Sequence, residues 1–221
     1  QDLIKVINKY FEEDVRKEMA IETELESLTG VQIIGDYTVN DLNLTKSFLE
    51  QTYGYDINKF VRSIVYLPPS SKLFVANKCF KLITGKKLEV FGISRLGKEK
   101  DTISITSSNG KDIGWWVGAL AHEFTHQIHH KVEQQSSEFN KKWDEIKGGY
   151  AREYGKTNRN EDVATVAEEV IKIYFSVPTP FKRNSINLFM PIDFNPKAFY
   201  AKVRLLKEYN ILPIPVSQLI D

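Results

Sequence analysis

The chain has 221 residues, 42% of them hydrophobic and 27% charged, with a formal net charge of +1. That length can bury a substantial core in one large domain or two small ones. No basic arm or basic–aromatic patch stands out, which excludes nucleic acid or an anionic membrane surface as the expected partner. No run of about eighteen apolar residues exists, so no membrane insertion is expected. Cys79 is the single cysteine; it can form no intrachain disulfide and reads as a small buried hydrophobe rather than a nucleophile. The first residue is Gln1 rather than Met. A removed upstream stretch is therefore expected, with the leaning toward a cleaved secretory leader.

Residues 2–28 carry apolar side chains at helical spacing (Leu3, Ile4, Ile7, Tyr10, Phe11, Val15, Met19 and Leu25) with dense charge between them. The spacing predicts a long amphipathic helix ended by Gly30. Residues 31–40 read as a short strand and turn, and 41–53 as a helix stopped by Gly54. Residues 61–67 have strand character up to the break at Pro68-Pro69. A short helix capped by Ser70 or Ser71 is expected to run to Thr84. Two strands, 88–96 and 102–106, then flank a polar turn at 97–101. The second alternates polar and apolar residues, as an antiparallel strand with one wet side does. Beside a catalytic helix it is a candidate to receive an extended substrate by backbone pairing.

The most informative stretch follows: His122-Glu123-Phe124-Thr125-His126. Residues four apart on an α-helix sit about 40° from one another, so His122 and His126 can bring two imidazole nitrogens to one ion. Glu123 lies about 100° round, beside the ion, where a carboxylate can take a proton from water. With His122 at 0°, the metal-facing group falls within about 100°, and Val117, Leu120, Ala121, Phe124 and Ile128 fall on the opposite side. One face is thus polar and the other apolar enough to bury. Trp115 and Trp116 are expected to pack the start of this helix. His130 faces the metal side but lies about 6 Å further along the axis, and reads as an outer or surface residue. His129 reads as a plain surface residue.

A catalytic zinc ion needs three protein ligands and an open position. Residues 160–175 form a second helical segment, with Asn160 as its expected N-cap. Val163, Val166, Ala167, Val170 and Tyr174 make its packing stripe, and Glu161, Thr165 and Glu168 share another face. Glu161, in the first turn, is best placed to reach a neighbouring helix. Asp162 and Glu168 are its rivals. With no ligand role, Glu168 and Glu169 read as a solvated face. After the breaks at Pro178, Pro180 and Pro191, residues 197–209 read as a final helix, with Asn195 as N-cap and Pro196 at its first position.

Two HExxH histidines followed by a Glu on a second helix resemble the gluzincin branch of the zincin metallopeptidases. More narrowly, HEFTHQIHH at 122–130 is similar to the active helix of the anthrax lethal factor and Pro-Pro endopeptidase group. The resemblance covers about residues 100–176. It implies an α+β zincin-like fold, with a small mixed sheet whose edge strand lies beside the HExxH helix and a mostly helical C-terminal lobe. The expected organisation is one catalytic domain in two lobes, about 1–139 and 140–221, with zinc in the cleft between them. The group carries a Tyr seven residues before its ligand Glu, pointing into the site; Tyr154 stands seven residues before Glu161. Tyr150 is the neighbouring alternative. The chain departs from the group at Thr165, where such helices usually carry a second acid.

The implied activity is a zinc-dependent endopeptidase acting on a peptide or protein substrate. His122, His126 and Glu161 would hold one Zn2+, Glu123 would serve as general base and then acid, and Tyr154 would stabilise the oxyanion. Two rivals predict different behaviour. A non-catalytic zinc or protein-binding module, docking through helix 2–28, would show no activity to lose. A toxin-like peptidase with a single dedicated target would ignore generic substrates.

Overall fold

A computed structural model describes residues 2–67, 92–95, 101–106, 113–175 and 194–220. The helix expected at 70–84 with Cys79, the turn at 97–100, the loop 107–110, the Trp115 side chain and the prolines at 178–191 lie outside the described residues.

Helix α1 (Asp2–Thr29) ends where Gly30 takes a φ of +64°, a left-handed conformation that glycine adopts at little cost. Its C-terminal end is anchored to the core. Leu25 and Thr29 are buried, while Val15 and Met19 stay exposed. The Glu26 side chain accepts the Ile33 backbone N–H at 2.8 Å, tying the helix to strand β1 (Gln32–Gly35). Helix α2 (Val39–Gln51) begins in a capping box. Thr38 Oγ1 accepts from the Asp41 N–H, and the Asp41 carboxylate accepts from the Thr38 N–H.

The sheet is mixed, in the order β1-β2-β4-β3. Strands β1, β2 (Ser63–Leu67) and β4 (Thr102–Thr106) run parallel, and β3 (Gly92–Arg95) pairs antiparallel with β4. The antiparallel pairing expected of strands 88–96 and 102–106 is thus present between β3 and β4. The expectation of a wet, substrate-receiving strand at 102–106 is overturned. β4 is hydrogen-bonded to neighbours on both sides, so its backbone groups are already used. Ser104, on the supposedly wet face, is buried between Ile103 and Ile105. Among the described residues β3 forms the sheet edge on that side.

Helix α3 (Ile113–Gln135) carries the HExxH residues and turns its apolar face to the core. Trp116 is buried and stacks on Tyr66 of β2 at 6.5 Å. Phe124 is fully buried against Tyr53 and Phe48, at 5.4 and 5.9 Å between ring centroids. This packing fixes the rotation of α3 and turns the histidine face away from the α2 side. Short α4 (Glu138–Glu145) and a 3-10 turn at Glu153–Lys156 lead into α5 (Arg159–Tyr174). Helices α6 (Pro196–Glu208) and α7 (Ile214–Ser217) follow. The described part of the chain after residue 140 is therefore mostly helical and carries no strand, and the architecture is α+β. α6 starts as expected, with Asn195 capping the Ala198 N–H and Pro196 in the first turn. No helix among the described residues is long and apolar enough to cross a membrane.

Behind the site, Lys202 of α6 is almost wholly buried and donates to Asp162 of α5 at 2.6 Å. The Trp143 indole N–H donates to the same carboxylate oxygen at 2.8 Å. Burial pushes the Asp162 carboxyl up and the Lys202 amine down from their ordinary values, against their mutual attraction.

Candidate metal centre

α5 lies against the histidine face of α3, with Val163, Ala164, Val166, Ala167 and Ile171 buried along it. The true N-cap is Asn158, whose side chain accepts the Glu161 N–H at 3.0 Å. Asn160, the expected cap, already sits inside the helix. Its register is set at Asn158 because the backbone is extended there, at φ −164°, and helical beyond. Glu161 thereby becomes the third helical residue, where the amide dipoles of the helix start favour a carboxylate.

Three side-chain atoms converge. His122 Nε2 is 3.0 Å from Glu161 Oε2 and 3.1 Å from His126 Nε2, and His126 Nε2 is 3.5 Å from Glu161 Oε2. Tetrahedral ligands at about 2.0–2.1 Å from a zinc ion stand about 3.3 Å from one another. The observed triangle brackets that spacing, and its two nitrogens and one carboxylate oxygen are a donor set suited to zinc. This cluster can hold a metal ion. The three side chains are only 12–18% exposed, so the site is shielded yet reachable.

The electrostatics agree with the geometry. Burial raises the Glu161 carboxyl, but hydrogen bonds to His122 and His126 outweigh it and hold the group well below the usual carboxylate range. Burial lowers His126, opposed by its hydrogen bond to Glu161. A deprotonated carboxylate and a neutral imidazole are the forms that bind a cation.

Glu123 is buried next to the pair, and its charge reaches Tyr154. Tyr154 sits in the 3-10 turn, 45% exposed, with its ring 6.1 Å from that of His122. Burial first, then the charge and hydrogen bond of Glu161, push its phenol up to about 12. Tyr150 lies elsewhere: its ring meets the Lys202 amine at 4.3 Å.

The rivals for the third ligand have other partners. Asp162 is engaged by Lys202 and Trp143. Glu168 reaches His122 from the other side of the ring, with Oε2 3.2 Å from Nδ1. Neither Glu168 nor Glu169 lies on a solvated face: both are buried, with Arg152 and Lys172 against them. His129 is also corrected from surface to interior. It is 1% exposed, against Phe139 at 5.0 Å, with Nε2 3.2 Å from Asn140 Oδ1. His130 is the partly exposed one and pairs with Gln134. Comparison with family models, with curated protein sequences and with solved structures returned no match.

Proposed function

We propose that this chain is a zinc-dependent endopeptidase of the gluzincin type, of the kind found in the lethal factor and Pro-Pro endopeptidase group. The observation that carries the reading is the triangle of His122, His126 and Glu161 with Glu123 on the same helix turn. A purely structural metal would have no need of Glu123.

When bound, zinc supplies a Lewis acid for the scissile carbonyl and acidifies water toward neutral pH. Glu123 takes a proton from the attacking water and later delivers it to the leaving amine. Its burial suits that task, because a shielded carboxylate is not kept hydrated by bulk solvent. Tyr154 stays protonated at neutral pH and donates a hydrogen bond to the oxyanion. Its exposed edge lets it meet a substrate without rearranging the core. The substrate is a peptide or protein segment.

The test is zinc content and peptide-library cleavage on wild type and Glu123→Gln. Zinc near one ion per chain in both proteins, with cleavage only by the wild type, is the expected result. Equal cleavage by both would remove Glu123 from the chemistry. Zinc in neither would overturn the metal assignment.

A further inference from the structure

Resting on that zinc reading, we propose that Glu168 is the positioning residue for His122, taking over a task that position 165 does not perform. Thr165, one turn beyond Glu161, is fully buried and donates to the Asp162 carbonyl at 3.1 Å, so it offers His122 no acid. Glu168 lies on the same face of α5, a turn further on. Its Oε2 accepts from His122 Nδ1 at 3.2 Å, while His122 Nε2 points to Glu161.

A proton held at Nδ1 leaves the lone pair of Nε2 free for the metal and fixes the plane of the ring. For this the carboxylate must itself be held. Arg152 donates to Glu168 Oε2, and Lys172 Nζ is 2.8 Å from Oε1. The helix above is cut away to admit it. A Cβ on Gly118 of α3 would come 2.8 Å from Glu168 Oε1 and 2.7 Å from Lys172 Cε. Gly118 is four residues before His122 and lies above it on the same helix face.

Glu169 supplies the internal control. It is equally buried and meets the same two cations, Arg152 Nε at 3.4 Å and Lys172 Nζ at 3.2 Å. No contact to His122 is among its interactions. A merely structural role for this ion cluster would make the two acids equivalent.

Zinc affinity is therefore measured by chelator competition on the full chain for wild type, Glu168→Gln and Glu169→Gln. NMR of the zinc-loaded proteins follows the His122 Nδ1 proton. Glu168→Gln is expected to bind zinc about 10- to 100-fold more weakly and to shift that proton, with Glu169→Gln unchanged in both. Equal effects from the two variants, or none from Glu168→Gln, would overturn the assignment while leaving the zinc site standing. A wild type that binds no zinc would overturn the reading beneath it. Should Glu168→Gln fail to fold, Glu168→Asp makes the same comparison, keeping the charge but falling short of the ring.

Discussion

Glu161 Oε2 and His122 Nε2, from residues 39 apart in sequence, lie 3.0 Å from each other across the interface of two helices. Packing of α5 on α3 therefore assembles the site, and Glu161 is the only anionic member of the triangle. Glu161→Gln keeps the shape and removes the charge. Zinc affinity is expected to fall more than about 100-fold, beyond the loss usual for an outer partner. Competition titration checks this. Asp162→Asn in the same assay leaves affinity within a few-fold of wild type, because Asp162 faces Lys202 instead.

Tyr154→Phe separates chemistry from binding. The phenol touches the site through Glu161 but is not one of the three converging donors. Loss of one oxyanion donor costs about 10²- to 10³-fold in kcat. That loss is expected with KM and zinc stoichiometry nearly unchanged. A fall in zinc content without a fall in kcat of the loaded protein would assign Tyr154 to packing.

The shared face of His122 and His126, with Glu123 beside it, was legible because helical periodicity is local: spacing sets which side chains share a face. Strands β2 and β4 and the final helix with its Asn195 cap were legible for the same reason. Spacing left Glu161, Asp162 and Glu168 as candidates to join the histidines, and the packing of α5 brings Glu161 to the pair. What failed was tertiary. His129 is interior because α4 folds back and brings Phe139 and Asn140 over it, which no wheel of α3 can show. Glu168 and Glu169 looked solvated because charge defaults to solvent. Arg152 sits in an irregular segment before α5 and gave no periodic signal that it would meet them. The alternation in 102–106 reports side chains, whereas pairing on both sides of β4 is a property of its backbone neighbours. Thr165 in place of a second acid left room for Glu168 as a ligand; the fold sets Glu168 against the other ring nitrogen of His122 instead.

Gly118→Ala tests the clearance above Glu168. Alanine is favoured over glycine inside a helix by about 1 kcal/mol. Against that, its methyl enters space held by Glu168 and Lys172. Both are side-chain ends, so they move and the fold survives. Unfolding free energy is expected to stay within about 1 kcal/mol of wild type, with zinc affinity lowered about tenfold as Glu168 is pushed from His122. Unchanged affinity, with unfolding followed in parallel, would show that the carboxylate has room to yield without disturbing the ring.

Lys202 and Asp162 predict a non-additive pair. Both are nearly solvent-free, and Asp162 is also bonded to Trp143. Lys202→Met removes the cation and leaves a buried carboxylate, a change expected to cost about 3–5 kcal/mol. Asp162→Asn alone strands the amine and is also destabilising. In the double variant neither charge remains, the Asn side chain still accepts from Trp143, and methionine fills the lysine's volume. Its unfolding free energy is expected to recover most of the loss, because the desolvation of two ions has been removed along with their attraction. Denaturant unfolding of the four proteins gives the coupling directly. Additive losses would mean that each residue stabilises α5 against α6 independently, through packing rather than through the ion pair.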